Sequence, residues 1–265
     1  MYDLYNRRIN YLRISVTDRC NLRCVYCMPE EGVPLLRHEQ ILSLEEIARI
    51  AEAAVELGVT KIRLTGGEPL VRKGLLDLVS LLRPLQGLEV LGMTTNGTLL
   101  APVARELRER GLNSVNISLD TLDPGRFSAL TRGGRLEDTL EGIDAAVRAG
   151  LPVKINTVVT ADAPEGDLDR VIAFCAEQGL VHQRIRHYLL SGQKLDQDEL
   201  ERPPRCGDCN RIRLLADGSL KPCLHSNLSI PVDFSDIERS LLECVRAKPG
   251  HGAACTTLAV GQIGG

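Results

Sequence analysis

The sequence predicts an α/β chain, an open and partial βα barrel followed by a smaller α+β region. Three observations lead there. Short apolar runs alternate with amphipathic stretches from residue 11 to about residue 182. The alternation supplies five or six βα units, too few for a closed barrel of about eight. Beyond residue 188 it stops. Repeated βα units place parallel strands side by side with helices outside them, and ligands then gather at the carboxyl ends of the strands. The expected division is a barrel over 1–188 and a second region over 189–265.

The strand runs are residues 11–16, 61–65, 89–94, 114–119, 153–159 and 181–188. They are β-branched or Leu-rich and bounded by Gly, Asn or Asp. The helix over 43–57 opens with a capping box, Ser43 to Glu46, and stops at Gly58. Residues 75–82, 102–110, 136–149 and 168–178 read as further helices. Residues 189–205 are polar, end in Pro203-Pro204 and read as a linker. Asp217-Gly218 marks a hairpin between 211–215 and 219–223. A last helix is expected over 235–247, capped by Ser235 with Glu238, and the tail ends in Gly264-Gly265.

Composition narrows the function. Net charge is −3, so there is no general attraction to polyanions. Aromatic residues make up 3% and Trp is absent, which argues against a stacking platform for nucleic acid. No apolar run approaches the roughly 18 residues of a membrane span, and the N-terminus is polar. A soluble, cytoplasmic protein is expected, with no membrane partner. Nine cysteines in a reducing compartment argue for metal ligands over disulfides.

Cys20, Cys24 and Cys27 form a C-x3-C-x2-C run. Three close thiolates can ligate three irons of a [4Fe–4S] cluster and leave the fourth iron open to a small molecule, whereas clusters that only carry electrons are usually closed by four cysteines. Zinc prefers paired C-x2-C modules with four ligands. Cys206, Cys209 and Cys223 form a second triad. It is either a second open cluster or a zinc site with His225 as the fourth ligand. Cys175 and Cys244 read as core, and Cys255 as a ligand or a free surface thiol. Gly66-Gly67-Glu68-Pro69 follows a strand directly, so its glycines allow close backbone approach and Glu68 could hold an amine; a plain βα turn is the other reading. Arg13, Lys61, Arg63, Lys154, Arg211 and Arg213 sit at strand positions. Alternation gives Lys61 and Arg63 one face, and Arg211 and Arg213 one face. Buried arginines need an anion, which suggests a triphosphate or similar polyanion; outward salt bridges are the alternative.

The segments TDRCNLRCVYCMP (17–29), RLTGGEPL (63–70), TTNG (94–97), NISLD (116–120), CNRIRL (209–214) and the terminal IGG (263–265) resemble the GTP 3′,8-cyclase family of radical S-adenosylmethionine (SAM) enzymes. The resemblance covers 7–180, 205–235 and the last few residues. It implies a barrel of the radical SAM type with a C-terminal cluster-binding region. Cys20, Cys24 and Cys27 would hold the SAM cluster, and Tyr26, Gly67 and Ser118 would contact SAM. Cys206, Cys209 and Cys223 would hold a second [4Fe–4S] cluster that binds guanine. Arg13, Arg63, Thr94, Lys154, Arg211, Ile212 and Arg213 would line the GTP site, with Arg13, Arg211 and Arg213 nearest the reaction. A 5′-deoxyadenosyl radical would take the ribose 3′ hydrogen, and the ribose radical would attack guanine C8. The product, 3′,8-cyclo-GTP, would pass to cyclic pyranopterin monophosphate synthase in molybdenum cofactor synthesis. A ferredoxin or flavodoxin would supply electrons; a homodimer is allowed. The Gly264-Gly265 tail would reach the active site. The chain departs from the family in a shortened segment between about 180 and 205, and no methionine follows Met93, so no SAM-contacting methionine is carried over. Two other readings stand beside the cyclase. One is a radical SAM enzyme acting on a peptide or other substrate, or a degenerate inactive relative. The other is a non-catalytic metal-binding protein.

Overall fold

Strands β1 (Tyr11–Ser15), β2 (Lys61–Thr65), β3 (Val90–Thr95), β4 (Ser114–Ser118), β5 (Val153–Val159) and β6 (Val181–Arg186) alternate with helices. The helices are α1 (Leu44–Glu56), α2 (Leu75–Leu82), α3 (Ala104–Glu109), α4 (Pro124–Thr131), α5 (Leu136–Arg148) and α6 (Asp167–Glu177). These come from a computed structural model that describes residues 1–160, 163–187, 189–192, 194, 196, 200 and 204–263. The expected strands and helices form here with small shifts at their ends. Helix α4 was not expected, although its start was written in the sequence. Asp123 accepts a hydrogen bond from Arg126 N at 2.6 Å, and Pro124 occupies the first turn.

The remainder adds β7 (Arg211–Leu214), β8 (Ser219–Lys221), β9 (Ile230–Pro231), α7 (Ile237–Arg246) and α8 (Val260–Ile263). The expected hairpin is there, with β7 antiparallel to β8. β7 also pairs parallel to β1, placing Arg213 beside Arg13. The sheet order among the described residues is β6-β5-β4-β3-β2-β1-β7-β8-β9. The α7 cap is corrected by one position. Asp236 accepts from Arg239 N at 3.0 Å, while Ser235 Oγ donates to Asp233 Oδ1 at 2.6 Å. The expected linker falls partly outside the described residues. Its Leu190 packs with Leu215, Cys255 and Ile263, and Lys194 N donates to Ala253 O at 3.1 Å. Gly264, Gly265 and Tyr188 lie outside the described residues.

The two faces of the sheet differ. Leu12, Ile14, Ile62, Leu64, Leu91, Met93, Val115, Ile117 and Ile155 face the helices and are buried with Ile47, Ile50, Leu78, Leu82 and Leu107. Each large aliphatic side chain removed from water stabilises the layer by about 1.5–3 kcal/mol. The opposite face is polar and lines one space of about 710 Å³. Its wall draws on β6 and on β7, the two ends of the parallel run, so the sheet is curled into an open barrel. Among the described residues no helix is long and apolar enough to cross a membrane.

Candidate active site

The loop after β1 carries Cys20, Cys24 and Cys27 to the carboxyl end of the barrel. With Tyr26, Gly66, Gly67, Thr94 and Ser118 they line a space of about 1020 Å³. Gly66 and Gly67 let the β2 loop lie directly on the cysteine loop. Gly67 N donates to Thr17 O at 2.9 Å, and a Cβ on Gly67 would fall 2.3 Å from Arg19 O. Gly66 has φ +150, and a Cβ there would meet Thr17 O at 2.5 Å. Tyr26 donates to Asp120 Oδ2 at 2.5 Å, fixing the loop to the end of β4.

Glu68 lines the same space, and its oxygens accept three protein donors. Oε1 accepts from Leu70 N at 3.0 Å and Thr95 Oγ1 at 2.7 Å; Oε2 accepts from Asn96 N at 2.8 Å. Glu68 is thus a strut between the β2 and β3 ends, and Oε2, with one donor, keeps room for another. Burial pushes its carboxyl up to about 7 despite those donors. Burial also pushes the Cys24 and Cys27 thiols up to about 12, so ligation there must displace a proton.

Above this loop the barrel floor is cationic. In one row Arg211, Tyr11 and Lys61 are neighbours across β7, β1 and β2; in the next row stand Arg213, Arg13 and Arg63. Lys154 completes the set from β5. The inward orientation, not the outward one, is the one adopted. Arg63 is held by protein acceptors: Nε donates to Tyr11 Oη at 3.0 Å, and Nη1 to Met93 O at 2.8 Å and Asn116 Oδ1 at 3.0 Å. Strand alternation turns Ile212 the other way. Its side chain is buried in the core behind the sheet, so Ile212 can meet the lumen only through its backbone, between Arg211 and Arg213. Thr94 Oγ1 and Asn156 Oδ1 are buried without a hydrogen-bond partner among the described residues. Both residues line the cysteine space and the cationic space alike.

The second triad closes the far end. Cys206, Cys209 and Cys223 line a space of about 500 Å³ that shares Arg211, Arg213, Pro204 and Leu224 with the cationic lumen. Gly252 N donates to Cys206 Sγ at 3.4 Å, and Lys248 Nζ to Cys209 Sγ at 3.3 Å. Burial raises the Cys209 thiol, but Lys248 and Arg211 outweigh it and hold it at about 7. Tetrahedral zinc with Zn–S bonds of about 2.3 Å would bring ligand sulfurs to about 3.8 Å apart. Among the described residues the group whose ligand atoms all lie within 4.8 Å is Asp196, Cys206 and His251, not the triad with His225. The wider triads, each receiving N–H donors at sulfur, fit open iron–sulfur clusters better. Cys255 is buried rather than a surface thiol, and Cys175 and Cys244 are core.

Sequence reasoning missed Tyr11, Asn156, Arg7 and Lys248 as site residues. Tyr11 had a legible signal, since it shares a face with Arg13. Asn156 had the same signal, two residues past Lys154 on β5. Arg7 and Lys248, which line the space of the second triad, had none, because their places depend on which strands and loops meet.

The radical SAM superfamily model matches residues 14–175. SuiB of Streptococcus suis, in its structure bound to S-adenosylmethionine, superposes with TM-score 0.71 at 17% identity over 94% of this chain and 66% of that chain. That likeness shows the fold. The chain is 40% identical to the GTP 3′,8-cyclase of Peptoclostridium acidaminophilum over 94% of this chain and 92% of that protein. It is 42% identical to the GTP 3′,8-cyclase of Heliobacterium modesticaldum over 94% of this chain and 93% of that protein. Fold and cysteine loop thus define a radical SAM protein. Within that superfamily the chain belongs to the GTP 3′,8-cyclase family. The first of these alignments spans 299 positions against a chain of 265 residues, so the relative carries inserted residues inside the matched range.

Proposed function

We infer that this chain is a GTP 3′,8-cyclase, joining ribose C3′ to guanine C8 within one GTP molecule. The observation that carries this is the continuity of three spaces. A cysteine triad stands at each end, and the cationic lumen between them shares wall residues with both. Cys20, Cys24 and Cys27 would hold the cluster that binds SAM, and Cys206, Cys209 and Cys223 the second cluster. Bound there, the first cluster and SAM supply one-electron cleavage and a hydrogen-abstracting radical.

The chain's own residues bind and orient. Arg13, Lys61, Lys154, Arg211 and Arg213 match a triphosphate in charge and in forked donor geometry. Arg63 holds the floor under them. Thr94 Oγ1 and Asn156 Oδ1 would meet the ribose where the cysteine space opens into the lumen. Tyr26, Gly67 and Ser118 would flank SAM. The cationic floor favours a nucleotide triphosphate over a peptide. The same reading assigns a ferredoxin or flavodoxin as electron donor and cyclic pyranopterin monophosphate synthase as the next enzyme.

The test is an anaerobic reaction of cluster-reconstituted protein with SAM, dithionite and GTP, analysed by mass spectrometry. The expected result is 5′-deoxyadenosine together with cyclised GTP, both dependent on GTP. Deoxyadenosine without cyclised GTP would reject the substrate assignment.

A further inference from the structure

Lys248 lies just past α7, outside the cysteine motif and outside the cationic rows. Helix α7 buries Leu241, Cys244 and Val245, and Lys248 N closes its end on Val245 O at 3.2 Å. The side chain therefore leaves the helix end toward the second triad. It is 3% exposed. Its ammonium has three protons and three acceptors: Cys209 Sγ at 3.3 Å, Arg211 O at 2.8 Å and Pro222 O at 2.8 Å. Cys209 and Arg211 lead into β7, whereas Pro222 leaves β8 and precedes Cys223. One side chain thus spans both arms of the hairpin that brings the triad together.

A buried ammonium needs an anion. Two of its acceptors are neutral carbonyls, and no carboxylate of the described residues pairs with it. The Cys209 sulfur is the remaining partner. Hydrogen bonds to ligand sulfurs and nearby positive charge both favour the more negative, reduced form of an iron–sulfur cluster.

We propose that Lys248 is a positioning residue of the second cluster. It clamps the Cys206–Cys209 loop to the Cys223 end of the hairpin, and its charge against the Cys209 sulfur makes that cluster easier to reduce. This rests on the reading of Cys206, Cys209 and Cys223 as cluster ligands.

The experiment uses the full chain, reconstituted anaerobically, with iron analysis and a redox titration followed by electron paramagnetic resonance. Wild-type protein should hold about eight irons, as two four-iron clusters require. About four irons in the wild type would overturn the underlying reading before any substitution is made. In Lys248→Met the N-terminal cluster should keep its signal and midpoint. The second should either be lost on gel filtration or need a potential lower by about 59 mV, a tenfold change in the one-electron ratio. Lys248→Arg should restore most of both. Unchanged iron and midpoint in Lys248→Met would overturn the proposal, as would equal loss of both clusters with a lowered melting temperature of the iron-free chain. Should methionine prevent folding, Lys248→Gln keeps a donor without the charge; a wild-type midpoint there would overturn the electrostatic role.

Discussion

Arg63 Nε donates to the Tyr11 hydroxyl at 3.0 Å, so a phenol sits inside the cationic floor of the barrel. Lys61 and Arg211 stand against its ring, at 5.0 Å and 5.4 Å from the centroid. Burial raises the phenol, but Arg13, Arg63, Arg211 and Lys61 outweigh it and bring it down to about 7. The phenolate thus offsets part of the mutual repulsion of the floor when no polyanion is bound.

One tyrosine should therefore ionise near neutral pH. Ultraviolet titration of tyrosinate should show a step near pH 7 in the wild type and none in Tyr11→Phe, and added GTP should move the step upward. The folded-state value lies below the usual value of about 10. The associated stability is thus absent below about pH 7, grows as pH rises and is complete above about 10. The melting-temperature gap between wild type and Tyr11→Phe should be wider at high pH; a gap constant across that range would remove Tyr11 from this role.

Gly92 gives Arg63 its path across the sheet. A Cβ there would lie 2.8 Å from Arg63 Nη2 and 3.0 Å from Ser114 Oγ. Because Arg63 is pinned by Tyr11, Met93 and Asn116, it cannot step aside without losing them. Gly92→Ala should weaken GTP binding about tenfold, the size of one charge-assisted hydrogen bond. Equilibrium dialysis against GTP measures it, and retained affinity would mean that the floor relaxes freely.

Gly67→Ala tests the contact between the β2 loop and the cysteine loop. The clash with Arg19 O is with backbone, so the Cys20 loop must move. The expected outcome is loss of the N-terminal cluster with the second retained, read as about half the iron. Full iron content would show that the loop shifts without harm.

Arg211→Ala should raise the GTP dissociation constant about 10-fold to 100-fold, the range for one lost hydrogen bond to a charged group. Slow SAM cleavage without GTP should persist. Equal loss of both would make Arg211 structural.

Much of this was legible in the sequence. The βα alternation, the Ser43–Glu46 cap and the Asp217-Gly218 turn are local signals, and the structure keeps them. The alternation that put Arg211 and Arg213 on one face also turned Ile212 away, a consequence that motif resemblance alone did not supply. That Glu68 also ties the β2 end to the β3 end was not legible, because Thr95 and Asn96 are distant in sequence. The Ser235 cap failed because Asp236, one residue on, competes for the same helix end.

The sequence by itself determined the cysteine triads, the barrel units and the residue types that can hold a triphosphate, because each is set by spacing or by a period of two or 3.6 residues. Only the tertiary structure decided that β7 lies beside β1. That single parallel pairing brings Arg213 next to Arg13 and carries the second triad to the mouth of the same lumen. Parallel pairing is specified by packing across the whole sheet, which no local pattern records.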